Sequence, residues 1–384
     1  MDAFDVGVIG AGIHGASAAY HLASAGARTV VIDRTAAAGG PTGRSSAICR
    51  AYYTNVFLAE CARDSIAMFR DFEELTGRDA GFRQTGLLFL HPAEDATAMR
   101  ASVSRLNELG IATDVLSLDE IATRYPRFDL DGIGIAAFER DAGYADPSAA
   151  TLGLLERARA MGAVTRLGRA VVGLEPTPGG GAKIETDDGS RTSCGRVLVA
   201  AGPWTRPLAL LAGADLPLRV ERHIVAVFRW GDAEPAQAHG DLVGGYYFRP
   251  EGEELYLTGP LAAEPEADPD GYSEEIADHE TARMAELVVR RVPHLAASEV
   301  ARGWASLYDV SPDWQPVIGE IAPGIFVDAG TSGHGFKLAP ALGAHVAAMV
   351  LGQPTDPALH GFDPFRFESD RTLSAGYGDA RILG

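Results

Sequence analysis

A short apolar run at residues 4–9 ends in Gly10-Ala11-Gly12-Ile13-His14-Gly15, and an alanine-rich stretch follows to about residue 25. Few folds accommodate glycines at this spacing between a strand and a helix. In a βα turn the first glycine permits the sharp bend, and the second lets a pyrophosphate approach the backbone. The third lets helix and strand pack closely, while the helix N-terminus attracts the anion. Asp33 closes the next strand, 29–32, and lies 18 residues beyond Gly15. That places a carboxylate where a ribose hydroxyl pair would sit. The His14 side chain is expected to point away from the ligand. The unit reads as a dinucleotide cradle, and by itself does not separate NAD from FAD.

Two more strand–glycine–helix units follow. One runs through residues 197–201, Gly202-Pro203 and a helix to about residue 211. The other runs through residues 325–329, Gly330-Thr331-Ser332-Gly333-His334-Gly335 and a helix over 338–351. Units at both ends and in the middle imply one doubly wound domain assembled from separated segments. Between them, strands are expected at 86–91, 224–230, 246–248 and 255–258, the last two forming a hairpin across Pro250-Glu251-Gly252. A helix is expected over 93–109, a small antiparallel meander over 164–199, and an acidic surface loop over 261–279.

Charge and cysteine content narrow the partners. The 384 residues carry 33 basic and 52 acidic side chains, a formal net charge of −19. Such a balance opposes binding to a phosphate backbone, so no nucleic-acid partner is expected. Three widely spaced cysteines, Cys49, Cys61 and Cys194, form no CxxC pair. They point to a reducing compartment and no structural metal. The first residues lack a basic leader, and no apolar run is long enough to span a bilayer. A cytoplasmic, non-membrane protein is expected.

Two features favour FAD over NAD. Gly39-Gly40-Pro41-Thr42-Gly43-Arg44-Ser45-Ser46 follows Asp33-Arg34, a loop of small polar residues too long for a plain βα turn. The C-terminal glycine unit supplies a second helix N-terminus, suited to the flavin edge where reduction builds negative charge.

These motifs, together with Ala200-Ala201-Gly202-Pro203-Trp204 and the run from Gly330 to Lys337 preceded by Tyr308-Asp309-Val310-Ser311-Pro312-Asp313, resemble the FAD-dependent D-amino-acid oxidase and sarcosine oxidase family. They are most similar to the β subunit of heterotetrameric sarcosine oxidases and to dimethylglycine-oxidising enzymes. The resemblance implies an α/β fold in which a doubly wound, Rossmann-like FAD-binding domain joins an α+β substrate domain with a mainly antiparallel sheet. The expected division is 1–81, 146–216 and 302–384 for FAD, and 82–145 and 217–301 for substrate. The resemblance also implies oxidation of an amine carbon beside a carboxylate.

Matched position by position, Arg50 and Lys337 hold the substrate carboxylate, and Tyr308 and Tyr247 wall the pocket. A tyrosine beside strands is just as readily core. The cofactor would be met by Gly10, Gly12, Ile13, His14, Gly15, Asp33, Arg34, Gly43, Arg44, Ser45, Ser46 and Val171. Ala201, Gly202, Trp204, Gly333, His334, Gly335, Phe336 and Lys337 would complete its site, with His334 acting through its backbone. His223 and Trp314 carry no expectation beyond packing. Ser306 stands where monomeric sarcosine oxidases tether the flavin to cysteine, and no histidine flanks Thr42-Gly43, so the FAD is expected to be non-covalent. Tyr256 replaces an oxygen-activating lysine, and Pro260 a pocket histidine.

The expected reaction is hydride transfer from the α-carbon of an amino acid or N-alkyl amino acid, sarcosine-like or an imino acid, to flavin N5. Three alternatives stay open: a flavin dehydrogenase of a 2-hydroxy acid, a biosynthetic oxidase of a bulky or ring-containing imino acid, and a flavin-bearing subunit that needs a partner chain. The electron acceptor is left open with them.

Overall fold

In the computed structural model, which describes residues 2–233, 235–369 and 371–373, the three glycine turns converge on one edge of a single sheet. Four parallel strands lie side by side there: Thr29–Asp33, Asp2–Ile9, Arg191–Val199 and Ile325–Ala329. Their carboxyl ends all point the same way, so the turns that follow Ile9, Val199 and Ala329 open into one crevice. That is the position at which open α/β sheets bind ligands.

The sheet has eight strands. Val164–Leu167 pairs parallel to Thr29–Asp33 at one edge. It is therefore not part of the expected meander, which is confined to Val171–Pro176, Ala182–Thr186 and the first part of Arg191–Val199. Local turn signals suit either arrangement, and the pairing with a strand more than a hundred residues earlier decides it.

Helices Ile13–Ser24, Pro147–Ala160, Val56–Arg70 and Gly335–Leu351 pack together on one face of the sheet. The last begins at Gly335, three residues before the expected start, which puts Lys337 in its first turn. Pro340 lies inside this helix and removes a backbone donor. Neighbouring side chains take up the disrupted ladder. The Ser65 hydroxyl donates to the Leu338 carbonyl and accepts the Ala341 N–H, and Ser17 donates to the Pro340 carbonyl. A Cβ on Gly343 would fall 2.1 Å from Ser17 Oγ, so the glycine is what lets the first and last helices cross.

A second eight-stranded sheet runs in the order Glu299–Val310, Arg219–Arg229, Leu255–Pro260, Tyr246–Glu251, His239–Asp241, Leu87–His91, Ile135–Glu139, Thr113–Leu116. All its pairs are antiparallel except His239–Asp241 with Leu87–His91. Side chains alternate across the strands. Ile224, Ala226 and Phe228 pack with Met284 and Val288 of helix Asp278–Arg291, whereas His223 and Val225 face the crevice. Glu299–Val310 belongs wholly to this sheet, so a division placed at residue 302 cuts through a continuous strand. Residues 1, 370 and 374–384 of the expected FAD-binding segments lie outside the described residues.

Candidate active site

The crevice is a cavity of about 750 Å³, within the usual range for a cofactor pocket. Its floor is the first glycine turn. Gly10 has φ +113°, and a Cβ there would sit 2.2 Å from the Ala200 carbonyl oxygen. Gly12, Ile13 and His14 line the space, and the Thr42 hydroxyl accepts the Ile13 N–H at 3.2 Å. Neither Ile13–Ser24 nor Gly335–Leu351 has a side-chain N-cap. Apart from the Ile13 N–H that Thr42 accepts, the first-turn N–H groups of both helices have no side-chain cap and suit an anion.

At one end of the cavity lie Asp33, Arg34, Val171, Ala201, Gly202 and Trp204. Asp33 Oδ2 accepts the Ala11 N–H at 2.7 Å and Oδ1 the Thr35 N–H at 2.7 Å, so the carboxylate also braces the glycine turn. The Arg34 guanidinium stacks 3.9 Å over the Trp204 ring, and both donate to Asp270 Oδ1 at 2.9 Å. Arg44 bonds Glu274 at 2.6 Å. The acidic loop expected at 261–279 thus lies along the cavity, with Pro269, Asp270, Tyr272 and Glu274 in its wall.

At the other end, Ser46, Tyr247, Tyr308 and Gly333 are shared with a second, smaller cavity of about 50 Å³. This holds Arg50 and Lys337 against an apolar wall of Ile48, Leu87, Phe89, Leu242 and Leu261. Both cations are nearly inaccessible, at 5% and 6% exposure. Arg50 Nη1 donates to the Tyr52 carbonyl at 2.6 Å, and its guanidinium lies 4.4 Å over the Tyr53 ring. Burial, reinforced by the Arg50 charge, pulls the Lys337 ammonium down to about 7. A cation held at a helix N-terminus, beside a second cation and away from water, calls for an anionic ligand.

Glu139, not anticipated from sequence, stands behind this pair. It is fully buried, and its two oxygens accept the backbone N–H groups of Ala51 at 2.7 Å and Tyr52 at 3.0 Å. Burial raises its carboxyl to about 7 against the opposing pull of those two N–H groups and Arg50.

Tyr308 and Tyr247 stand at the junction of the cavities. Burial raises the Tyr247 hydroxyl to about 12 and that of Tyr308 well above its ordinary range, so both remain neutral donors. The His223 ring stacks on Tyr308 at 3.8 Å between centroids. His223 Nε2 bonds Glu221 Oε2 at 3.1 Å, while its Nδ1 is buried with no partner. Directly across the strand pair is Ser306, whose buried hydroxyl is likewise unpartnered. Both line the large cavity. His223 thus packs beside the cavity, against Tyr308.

Several expected cofactor residues do not line the large cavity. Gly15 and Gly43 serve close packing: a Cβ would fall 2.0 Å from the Gly10 carbonyl and 2.4 Å from the Ala38 carbonyl, respectively. Lys337 lines only the small cavity. His334 lines neither; its Nδ1 pairs with the Tyr53 hydroxyl at 3.2 Å under Arg50. Burial, with Lys337 and Arg50 nearby, holds that imidazole neutral. His14 is among the lining residues, and its ring reaches across to the last strand and helix, bonding Asp328 Oδ2 at 2.8 Å and the Gly335 carbonyl at 3.1 Å. Tyr256 is packed behind the sheet against Phe228 and lines neither cavity, and neither does Pro260.

The donor set fits FAD. The first glycine turn and two helix N-termini without side-chain N-caps line one continuous cavity, with Tyr247 and Tyr308 in its wall. No cluster able to hold a metal ion occurs among the described residues, and no helix among them is long and apolar enough to cross a membrane.

Comparison with known proteins agrees with this geometry. Residues 5–349 match the family described as FAD dependent oxidoreductase (DAO). The chain is 27% identical over 383 residues to mitochondrial dimethylglycine dehydrogenase of Rattus norvegicus, covering 94% of this chain and 44% of that protein. It is 25% identical over 393 residues to the monomeric sarcosine oxidase of Streptomyces avermitilis, covering 94% of this chain and 97% of that one. The structure of L-proline dehydrogenase from P. horikoshii superposes with a TM-score of 0.86 at 25% identity, over 96% of this chain and 99% of that chain. The chain spans less than half the length of the dimethylglycine dehydrogenases that it matches.

Proposed function

The chain belongs to the FAD-dependent oxidoreductase family, and we propose that it oxidises the C–N bond of a small amino acid or N-alkyl amino acid. The observation that carries this reading is the buried Arg50–Lys337 pair in a small apolar cavity that shares Ser46, Tyr247, Tyr308 and Gly333 with the wall of the cofactor cavity. Two buried cations select a carboxylate. A volume of about 50 Å³ favours a short or compact substituent, as in sarcosine or a cyclic imino acid, over a bulky one.

When bound, FAD supplies the two-electron acceptor for the hydride that leaves the substrate α-carbon. The chain's own part is to bind and orient. Arg50 and Lys337 grip the carboxylate, which fixes the α-carbon at the junction. The apolar wall excludes water, and burial beside two cations favours the neutral amine that must release hydride. The resulting iminium takes up water and yields a carbonyl compound and a smaller amine.

The FAD is read as non-covalent, since the position in the cavity wall that would carry a tethering cysteine is Ser306. The three buried, free cysteines favour a reducing, cytoplasmic setting. In the domain division we favour, the whole of Glu299–Val310 joins the substrate side. The oxidant and any partner subunit belong to the same proposal; a redox dye or dioxygen can stand in for the former in an assay.

Incubation with sarcosine, proline, glycine and lactate plus a phenazine dye tests the reaction class. Carbonyl product with matching release of amine, or of the cyclic imine's ring-opened form, supports C–N oxidation. Turnover of lactate alone would overturn it in favour of a 2-hydroxy-acid dehydrogenase.

A further inference from the structure

The wall of the small cavity includes a glycine, Gly240, that neither the backbone nor the packing around it requires. Gly240 lies in the strand His239–Asp241, in register with Phe89 on one side and Tyr247 on the other. Paired residues direct their side chains to the same face of a sheet. Phe89 and Tyr247 both line the cavity that holds Arg50 and Lys337. Their chain neighbours Leu88, Leu90, Tyr246 and Phe248 pack in the cores on the opposite face. A side chain on Gly240 would therefore stand between the two rings, on the cavity side of the sheet.

Gly240 is not among the glycines with positive φ, so its backbone does not demand that residue. A Cβ built on it would meet only the Phe89 ring, at 3.5 and 3.9 Å, which is ordinary contact. Gly259, on the far side of Tyr247 in the same row, is different. A Cβ there would fall 2.7 Å from Tyr247 Cζ and closer still to its hydroxyl oxygen, so that glycine lets the Tyr247 ring lie over it. The ring leans away from Gly240, with no atom within 4 Å of the Cβ position there. Bare strand backbone is thus left open beside two buried cations. Glycine inside a strand forfeits packing, and often marks the close approach of a ligand.

We propose that the substituent on the substrate's nitrogen or α-carbon packs on Gly240, in the slot between Phe89 and Tyr247, and that the absent side chain sets the largest substrate accepted. This rests on the proposed grip of Arg50 and Lys337 on a carboxylate, and not on which bond is oxidised. Ile48, Leu87, Leu242 and Leu261 supply the rest of the apolar wall. The group taken there is therefore uncharged and apolar: an N-alkyl group or a small saturated ring, and not a second carboxylate or an ammonium.

Calorimetric titration of the full-length holoprotein with acetate, butanoate and cyclopentanecarboxylate tests this without turnover. Wild type is expected to bind acetate and at least one of the larger acids. In Gly240→Ala the ratio of the larger acid's Kd to that of acetate should rise about tenfold or more, the usual effect of one methyl in an apolar pocket. Phe89→Leu opens the slot from its other wall and should lower the ratio; it decides the matter if the alanine variant does not fold. An unchanged ratio in the variant that decides, or an equal loss of all three acids, overturns the proposal. So does a wild type that binds acetate alone. A wild type that binds none of them would sink the carboxylate reading, and this one with it. The ratios do not depend on which bond is oxidised, so this proposal and the C–N reading fail separately.

Discussion

Glu139 accepts the backbone N–H of Tyr52 at 3.0 Å while Arg50 Nη1 donates to the carbonyl of the same residue at 2.6 Å. The peptide groups flanking Tyr52 are thus gripped from two sides, one of them the end of strand Ile135–Glu139 in the second sheet. The Arg50 guanidinium, proposed above to meet the substrate, is thus braced through Tyr52 by a residue at the end of a strand of the second sheet.

Glu139→Gln keeps the shape but replaces one accepting oxygen by a donor that faces a backbone N–H. The loss of one buried hydrogen bond costs about 1–3 kcal/mol. KM for the amine substrate is expected to rise by about tenfold, with kcat much less affected and the Arg50→Met background showing no further rise. Steady-state kinetics of the single and double variants check this. An unchanged KM in Glu139→Gln would show that Arg50 is positioned without it.

Lys337 titrates near neutrality because it is buried beside Arg50. Its folded value, about 7, lies below its ordinary 10.5, so the folded state binds fewer protons than the unfolded state between those limits. Stability therefore falls as pH drops from about 10.5 to about 7, and the cost is fully present below that. Glu139, raised from 4.5 to about 7, runs the other way and adds stability as pH falls from about 7 to 4.5. Lys337→Met removes the first contribution and is expected to raise stability at pH 7 by about 1–4 kcal/mol while weakening carboxylate binding. A simple carboxylate inhibitor should bind wild type more tightly as pH falls through about 7, and the variant should lose most of that dependence. Denaturant melts and inhibitor Kd from pH 6 to 9 read both effects; a variant that keeps the wild-type pH profile would remove Lys337 from the carboxylate site.

Asp270 joins Arg34 and Trp204 across the mouth of the cofactor cavity. The Arg34 and Asp270 side chains are 42% and 64% exposed, so the bridge is screened and individually weak. Asp270→Ala is expected to speed flavin dissociation only about two- to fivefold, an effect that shrinks in high salt, and to leave kcat unchanged. Stopped-flow release of flavin into excess apoprotein measures it. An increase of a hundredfold would mean that the loop is a latch rather than a loose cover.

The glycine turns were legible in the sequence because their demands are local: Gly10 needs a positive φ and Gly15 a missing Cβ, whatever the rest of the chain does. Arg50 and Lys337 stood out through the motifs around them. What escaped depends on pairings that no window of sequence contains. His14 and Asp328 are 314 positions apart, and only their meeting fixes where the imidazole goes. Glu139 ends an apolar run and gives no sign that its partners are the amides of Ala51 and Tyr52. That His223 lies beside the cavity escaped because strand alternation does not say which face is covered by a helix and which borders a cavity. Val164–Leu167 went to the wrong neighbour for the same reason, since its register is set by Thr29–Asp33 rather than by the turn after it.

In the proposed reaction, a flavin beside Tyr247 and Tyr308 takes electrons from a carboxylate-bearing amine held by Arg50 and Lys337. Anaerobic titration of the purified protein with sarcosine, dimethylglycine, proline and lactate, followed by its visible absorbance, tests this most directly. The account predicts a yellow protein whose flavin band bleaches with one of the amines and stays oxidised in Arg50→Met at the same concentration. A protein that binds FAD but is bleached by lactate alone, or equally well without Arg50, would contradict it.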